Sequence, residues 1–491
     1  HFPESDDAYQ AARRRLVYEE LLLFQILILR QKAAREAEPR GVVYGDAREL
    51  VERFRRSLPY TLTGAQYRVT TEILHDLDRR HPMNRLLQGD VGSGKTVVAA
   101  SALLRCVGGG AQGALMAPTE ILAGQHYLTL RRLLEPLGVT VVLLIGGLSR
   151  AARQEALEQV RDGAADIVIG THALIEDAVV FQRLGLVVVD EQHRFGVTQR
   201  AALRYKGERP DVLVMTATPI PRTLALTLYG DLDVSVLDEL PPGRSPIRTH
   251  ARPTAQRPRI YEYVRDQVTQ GRQAYVVCPL IEESDNLQAE AATELAARLG
   301  ATILRGVRVD VLHGRMKVDE RARAMEALRE GRTQVLVATT VIEVGIDVPN
   351  ATLMVIEDAD RFGLSQLHQL RGRVGRGTAQ SSCILVSDPK TEDGQARLDA
   401  MLETTDGFRI AERDLELRGI GELLGYRRQH GMSDLRVANL VRDRVWLERA
   451  RHDGAELLAA DPELRDPEHR GVAWALRVRF GAAQPENARV G

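Results

Sequence analysis

The stretch 85-RLLQGDVGSGKT-96 decides the fold, because it joins a short apolar run to a glycine-rich turn. The turn fits the pattern G-x-x-x-x-G-K-[ST], and the sequence 97-VVAASALL-104 behind it has helical character. Its glycines let backbone N–H groups face a phosphate, while Lys95 reaches the β and γ oxygens and Thr96 offers its hydroxyl to Mg²⁺. The stretch therefore predicts a P-loop that binds ATP and Mg²⁺ between a strand and a helix. The glycines are Gly89, Gly92 and Gly94.

Short β-branched or leucine-rich runs alternate with helical segments around this P-loop and again behind the linker 241-PPGRSP-246. Such alternation is typical of parallel sheets with crossover helices, so the expected fold class is α/β with two domains in tandem. We expect strands at 85–89, 114–118, 139–147, 166–170, 185–191 and 211–217, and then at 273–279, 307–314, 333–340, 352–358 and 381–388. The expected division is a helical segment 1–59, α/β domains 60–243 and 244–394, a segment 395–440, and a helical tail 441–491 whose end has a composition typical of disorder.

The composition excludes several classes of protein. The chain has 491 residues and a formal net charge of −1, so any polyanion must be held by local groups and not by a global basic field. The three cysteines, at positions 106, 278 and 383, are too far apart for a zinc site or a disulfide framework. The longest apolar run, 21-LLLFQILIL-29, is too short to span a bilayer and is interpreted as a buried helix. We therefore expect a cytoplasmic protein that does not enter the membrane.

A second set of polar residues follows the strand in 186-LVVVDEQH-193. Asp190 at its carboxyl end is expected to hold the metal, and Glu191 to orient or deprotonate the attacking water. Gln192 and His193 are candidates for sensing the γ-phosphate. An Asp-Glu pair after a strand is common in loops, and the P-loop about a hundred residues upstream is what favours the catalytic interpretation.

Phosphoryl transfer also needs cations at the developing charge. The run 366-QLHQLRGRVGRG-377 places three arginines among glycines in the second domain. Only five of the 66 basic residues are lysines, so a solvated basic turn is the alternative in this arginine-rich chain. The glycine spacing favours Arg373 and Arg376 over Arg371 as arginine fingers.

These motifs, in this order, resemble the motor of helicase superfamily 2, in which DEAD/DEAH-like helicases bind ATP between two RecA-like domains. By that resemblance Gln66 reads the adenine edge, and Gly345 and Asp347 line the cleft. Thr216 and Thr218 would couple the nucleotide to the track, together with Gln192 and His193. Candidates for contacts to the nucleic-acid backbone are Thr119, Gln125, Thr171, His172, His313, Arg315 and Thr339. The other motifs are 62-LTGAQ-66, 117-APTEILAGQH-126, 170-GTHAL-174, 216-TATPIPRT-223, 312-LHGRMK-317 and 338-ATTVIEVGIDVPNA-351.

More narrowly, 190-DEQH-193 combined with 216-TATPIPRTLALTLYGDLD-233 resembles the RecG family of ATP-dependent DNA helicases. The resemblance implies remodelling of stalled replication forks and Holliday junctions in DNA recombination and repair. The segment 14-RRLVYEELLLFQILIL-29 fits that family's linker helix, which follows an OB-fold wedge domain. The chain begins at this helix, so the resemblance implies the motor half without the wedge domain.

The segment 407-GFRIAERDLELRGIGELLGYRRQHG-431 lies behind the second domain. Phe408, Ala411 and Leu415 form an apolar stripe, which predicts an amphipathic helix ending at Gly419, with Asp414 and Arg418 paired at i, i+4. By resemblance this is a helical hairpin that moves along duplex DNA. Its candidates for transmitting the stroke are Arg413, Arg418 and Gln429, and the register of Gln429 stays open.

Two other functions are weighed against this one. A translocase of transcription-coupled repair shares the motor and the hairpin segment, and a P-loop switch or protein translocase would need no nucleic acid. Aromatic residues make up 4% of the chain, which favours tracking a duplex backbone over stacking single-stranded bases. The expected partner is branched DNA with duplex arms, a single-stranded-DNA-binding protein is a candidate partner, and we expect a monomer associated with the nucleoid.

Overall fold

The β-branched runs around the P-loop form a seven-stranded sheet. Its strands are β1 (Asn84–Gly89), β2 (Gln112–Met116), β3 (Val141–Leu144), β4 (Ile167–Gly170), β5 (Leu184–Val189), β6 (Asp211–Thr216) and β7 (Asp233–Leu237). They lie in the order β3-β4-β2-β5-β6-β1-β7, and all neighbours are parallel. The computed structural model of the protein describes residues 4–39, 41–191, 206–216, 232–241, 246–279, 285–339, 348–375, 377, 379–418, 435–440 and 442–480.

The second sheet has six parallel strands in the order β10-β11-β9-β12-β13-β8. These are β8 (Arg248–Arg252), β9 (Gln273–Val277), β10 (Val309–Leu312), β11 (Val335–Ala338), β12 (Ala351–Glu357) and β13 (Ser382–Val386). The expected fold of two tandem parallel-sheet domains is confirmed. Each expected strand overlaps a strand of these sheets, whereas β7 and β8 were not expected from the sequence.

Helices link the strands and flank the two domains. Before and within the first domain are α1 (Asp6–Glu36), α2 (Arg48–Ser57), α3 (Gly64–Leu77), α4 (Lys95–Gly108), α5 (Glu120–Leu134) and α6 (Arg150–Arg161). The second domain contains α7 (Arg257–Thr269), α8 (Asp285–Ala301), α9 (Val318–Arg329), α10 (Leu364–Arg371) and α11 (Glu392–Glu403). Behind it are α12 (Gly407–Arg418), α13 (Arg444–Ala460) and α14 (Arg470–Phe480).

The apolar run at residues 21–29 lies in α1 and is largely buried, as its sequence predicts. Val17 and Leu21 pack with Ala438, Leu440 and α13, so the first helix of the chain lies against its last helices. Among the described residues, no helix combines the length and the apolar character that crossing a membrane requires. Helix α1 therefore has a packing role that joins the two ends of the chain.

Candidate nucleotide site and motor interface

The P-loop lies at the carboxyl end of β1, where ligands bind in open α/β sheets. Gly92 and Gly94 have φ of 77° and 88°, in the region that favours glycine, and α4 begins directly behind them at Lys95. A Cβ at Gly89 would lie 2.4 Å from the Ser93 hydroxyl oxygen, so this position is closed to larger residues. The Ser93 hydroxyl is buried and has no hydrogen-bond partner within the described part of the chain. The turn therefore fits a phosphate-binding loop in which the Ser93 hydroxyl can serve as a further donor.

Lys95 is held inside this turn. Its ammonium group donates hydrogen bonds to the carbonyl oxygens of Gly89 at 2.7 Å and Asp90 at 3.0 Å. Thr96 follows it in the first turn of α4 and is half-buried. Both side chains therefore lie at the junction of the P-loop and α4, and the two carbonyl oxygens that Lys95 contacts are weaker acceptors than phosphate oxygens.

Asp190 lies behind the end of β5 and is buried. Burial opposes ionisation of this carboxyl, but a 2.8 Å contact with His126 Nε2 and the nearby Lys95 charge outweigh it and lower its pKa. The Glu191 amide donates to Asp190 Oδ1 at 3.1 Å, and Glu191 itself has a positive φ of 52°. An ionised carboxylate and a threonine hydroxyl are oxygen donors of the type that Mg²⁺ prefers, so Asp190 and Thr96 fit the expected ion by their chemistry.

His126 is a further candidate site residue, which the sequence alone does not indicate. It lies in α5 and ends the motif 117-APTEILAGQH-126, but the spacing between His126 and Asp190 carries no signal that the two meet. The strand order places β2, which leads into α5, beside β5, which leads into Asp190. Their contact is therefore a consequence of sheet topology, which cannot be read from a single sequence.

Gln66 is packed against the P-loop. Its side-chain amide donates to the Ser93 carbonyl oxygen at 2.8 Å, and its side-chain oxygen accepts from the Thr63 amide at 3.0 Å in the capping box of α3. The residue is buried, so both ends of its amide are used by the protein. Reading of an adenine edge by Gln66 stays a prediction, and it requires at least one of these hydrogen bonds to open.

The second domain contacts the P-loop directly. His368 in α10 places Nε2 2.6 Å from Asp90 Oδ1, and a Cβ at Gly372 would lie 2.9 Å from Val91 Cβ. Arg371 donates to His368 Nδ1 at 3.0 Å. Because a guanidinium can only donate, Nδ1 is the acceptor, and Nε2 carries the proton that is donated to Asp90. Burial opposes ionisation of Asp90, but the hydrogen bond from His368 outweighs it and lowers the carboxyl pKa.

The three arginines of this run have different positions. Arg371 is fully buried inside the second domain, where it also donates to the carbonyl oxygens of Met401 and Thr404, each at 3.0 Å. It therefore supports His368 and the end of α11, and its burial agrees with the choice of the other two as fingers. Arg373 is half-buried one residue from the Gly372 contact with the P-loop. Arg376 lies outside the described residues, and both finger assignments stay predictions.

The other candidates are spread over both domains. Thr119 caps α5, Gln125 and His313 are half-buried, and His172 and Arg315 are exposed. Thr171, Thr216 and Thr339 are buried, so in this conformation the side chains of Thr171 and Thr339 do not reach a surface where DNA could lie. Arg413 is exposed in α12. Outside the described residues lie Gln192, His193, Thr218, Gly345, Asp347, Gln429 and the side chain of Arg418.

Comparison with known proteins places these features in a family. The "DEAD/DEAH box helicase" model matches residues 63–227, the "Helicase conserved C-terminal domain" model matches 256–378, and "ATP-dependent DNA helicase RecG, domain 3, C-terminal" matches 404–479. The ATP-dependent DNA helicase RecG of Bacillus subtilis is 52% identical over 470 residues, which cover 96% of this chain and 69% of that protein. The chain belongs to the RecG family.

Further similarities agree with this assignment. The RecG helicase of a Synechocystis species is 52% identical over 94% of this chain and 56% of its own length. A solved structure of RecG bound to a three-way DNA junction superposes with a TM-score of 0.72 at 46% identity, over 91% of this chain and 58% of that one. The RecA-like fold of both domains follows from this match. The chain spans just over half to about two thirds of the length of these RecG relatives.

Proposed function

We propose that the chain is an ATP-dependent DNA motor that moves on duplex DNA and remodels branched DNA such as stalled forks and Holliday junctions. The observation that carries the proposal is the contact between His368 and Asp90, because it brings the second domain onto the P-loop of the first. A nucleotide bound at this P-loop would meet groups from both domains. Its binding and hydrolysis would then change how the two domains lie against each other.

The described residues suit ATP hydrolysis. Lys95 would leave the Gly89 and Asp90 carbonyl oxygens for the phosphate oxygens, which are stronger acceptors. Thr96 and Asp190 would hold Mg²⁺, which when bound neutralises charge on the phosphates. Glu191 would orient the attacking water and accept its proton.

Cations from the second domain complete the proposed reaction. Arg373 and Arg376 would act as arginine fingers, a contribution worth about 10³ to 10⁵ in rate in other phosphoryl-transfer enzymes. The position of Gly372 against Val91 supports this role for the neighbouring Arg373. Arg371, buried behind them, would hold His368 in place and would not touch the nucleotide.

Helix α10 offers a route from the nucleotide to the DNA. His368 in this helix contacts the P-loop, and Ser365, one turn earlier, donates to Asp414 of α12 at 2.7 Å. Asp414 is buried, and the pairing with Arg418 expected from the sequence lies outside the described side chains. A shift of α10 as the domains close would therefore be passed to the segment that contains Arg413, a candidate for coupling together with Arg418 and Gln429.

The proposed track is duplex DNA. With a formal net charge of −1, the chain would hold phosphates through local donors such as His172, Arg315, Thr119 and Gln125. Branched DNA is the proposed substrate because the solved RecG structure similar to this chain is described as bound to a three-way DNA junction. A monomeric state, association with the nucleoid and a single-stranded-DNA-binding protein as partner belong to the same proposal.

The alternatives have less support. A transcription-repair translocase is disfavoured because the model that matches 404–479 is that of RecG domain 3. A switch-like P-loop ATPase without a nucleic-acid track is disfavoured by the second RecA-like domain and its contact with the P-loop.

Steady-state ATP hydrolysis tests the proposal. It is measured without DNA, with blunt duplex, with a three-way junction and with single-stranded DNA. We expect the rate to rise strongly with duplex and junction DNA and less with single strands. Equal rates with and without DNA would exclude the motor and favour the switch.

A further inference from the structure

Glu20 is a buried carboxylate whose acceptor oxygens all face one short piece of backbone. It lies in α1, is 2% exposed, and accepts hydrogen bonds from three successive amides. Arg479 of α14 forms an ion pair with the same carboxylate. The amides belong to Arg436 at 2.7 Å, Val437 at 2.9 Å and Ala438 at 2.6 Å.

Burial of the Glu20 carboxylate costs free energy that strong hydrogen bonds must offset. A carboxylate removed from water must recover its hydration through strong hydrogen bonds, and Glu20 recovers it from main-chain donors that no substitution at residues 436–438 other than proline would remove. An apolar residue would have been enough to pack α1 onto α13, as Val17 and Leu21 do in the same interface. Glu20 therefore fixes the position of residues 436–438 along α1, which apolar packing alone specifies poorly.

A second polar contact holds the same piece of chain. Arg13, two turns earlier in α1, donates to both carboxylate oxygens of Asp443 at 2.9 Å. Asp443 in turn accepts from the Asn439 amide at 2.8 Å. Glu20 and Arg13 together hold residues 436–439 and Asp443 against the amino-terminal half of α1, an arrangement that we name the α1 clamp.

The other end of α1 is attached to the first motor domain. Lys32 contacts Asp233 of the edge strand β7 at 2.6 Å. Just beyond the helix, Tyr44 is buried in the core of that domain and donates to the Gly185 carbonyl oxygen at 2.7 Å. Residues held by the α1 clamp are thus connected to the first motor domain through one continuous helix.

Residues 407–438 contain the coupling candidate Arg413 of α12, and we name them the coupling segment. Its start is attached to the second motor domain instead. Ile410 of α12 is buried in the core of that domain, and Asp414 accepts from Ser365 of α10. The coupling segment is therefore anchored at its beginning, residues 407–418, to the second motor domain and at its end, residues 436–438, through Glu20 to the first.

We infer that Glu20 is a positioning residue for energy coupling, which holds the end of the coupling segment to the first motor domain while its beginning follows the second. The inference rests on the proposed function. When the domains move relative to each other, the two anchors move as well, and the motion changes the separation between residues 407–418 and residues 436–438. Without the α1 clamp the end of the coupling segment would move together with its beginning and the second motor domain. ATP hydrolysis would then continue without movement along DNA.

The test compares hydrolysis with movement in variants of the full chain. Glu20→Gln keeps the shape of the side chain but removes its charge and turns an amide donor toward backbone donors. Glu19→Gln is the matched control, because Glu19 is the neighbouring residue in α1 and is exposed. DNA-stimulated ATP hydrolysis is measured beside displacement of a triplex-forming strand from duplex DNA, and thermal melting checks that each variant is folded.

We expect Glu20→Gln to keep the KM for ATP and the hydrolysis rate within about twofold, and to lower displacement per ATP by about tenfold, as for a lost charged hydrogen bond. Arg13→Gln removes the second contact of the α1 clamp and should lower displacement per ATP less strongly. If Glu20→Gln does not fold, Arg13→Gln is the variant that tests the inference. Displacement per ATP equal to that of the unaltered chain in both folded variants would overturn the inference, whether hydrolysis is unchanged or falls in proportion to displacement. If the unaltered chain displaces no strand at all, the proposed function fails, and that result is distinct from failure of Glu20 alone.

Discussion

His368 and Asp90 lie on different motor domains, and their side chains meet with 2.6 Å between Nε2 and Oδ1. The geometry around His368 fixes the direction of the contact, since Arg371 occupies Nδ1 as a donor. The lowered pKa of Asp90 keeps its carboxylate charged at neutral pH. The second domain is thus hydrogen-bonded to the loop that is expected to take the phosphates.

Replacement of His368 by alanine should loosen the two domains. It leaves the Asp90 carboxylate without its partner from the second domain, a cost of about 1.5–3 kcal/mol for a charged hydrogen bond. The distance between spin labels on the two domains, measured without nucleotide, should become longer or broader. Asp90→Asn should act in the same direction, and His75→Ala, at an exposed histidine of α3, should change nothing. An unchanged distance in His368→Ala would show that other contacts hold the domains.

The contact between His368 and Asp90 should persist at mildly acidic pH. Because the pKa of Asp90 is lowered in the folded protein, the contribution of the pair is fully present above the usual pKa of an aspartate. It is lost as the pH falls through the lowered value. The spin-label distance in the unaltered chain should therefore stay constant from neutral pH down to mildly acidic pH, as long as the chain stays folded.

Gly94→Ala should impair nucleotide binding. Gly94 has a φ of 88°, and a Cβ there would lie 2.1 Å from the Gln66 amide nitrogen. The backbone strain alone is about 1–2 kcal/mol, and relief of the clash would move Gln66 away from Ser93. Binding of a fluorescent ATP analogue should weaken by at least tenfold. Gly124→Ala in α5, where a Cβ meets no atom within 4 Å, should bind normally and melt at the same or a slightly higher temperature.

Arg413→Ala should separate hydrolysis from movement with little loss of stability. The Arg413 side chain is 55% exposed, and its ion pairs with Glu416 and Glu403 are exposed as well, so they contribute well under 1 kcal/mol. DNA-stimulated hydrolysis should persist while triplex displacement falls. If both activities fell together in a folded variant, α12 would only support the motor.

The three thiols should be unreactive in the native protein. Burial raises the pKa of Cys106, Cys278 and Cys383 to about 12, so at pH 8 roughly one thiol in 10⁴ is ionised, and even that fraction is shielded from reagents. A thiol-specific chromogenic reagent should label none of them at pH 8 and all of them in denaturant. Fast labelling of one thiol under native conditions would show that its surroundings open.

The sequence predicts the ATP site better than the interfaces around it. The P-loop and Asp190 each follow a strand in a recognisable pattern, so their positions could be predicted from local sequence. The edge strands β7 and β8 were missed because their residues are half-exposed and mostly polar or alternating, which lacks the apolar run of a central strand. His126 and His368 were missed because each meets a partner that is distant in sequence, and such pairings depend on strand order and domain docking.

Glu20 shows the same limit. In the sequence it is one acidic residue in a charged helix, and only the path of residues 436–438 turns it into a buried acceptor. The capping role of Gln66 was also not expected, although Thr63 and Gln66 have the spacing of a capping box. The sequence carries that signal, whereas adenine recognition by Gln66 is implied only by the family resemblance.

Triplex displacement by the unaltered chain tests the central claim most directly. A DNA duplex that carries a labelled third strand is mixed with the chain and ATP, and release of the strand reports movement along the duplex. We expect release that requires ATP and Mg²⁺ and that disappears in Lys95→Ala, because this substitution removes the cation that is expected to hold the phosphates. DNA-stimulated hydrolysis without release of the strand would contradict the claim that this chain is a duplex DNA motor.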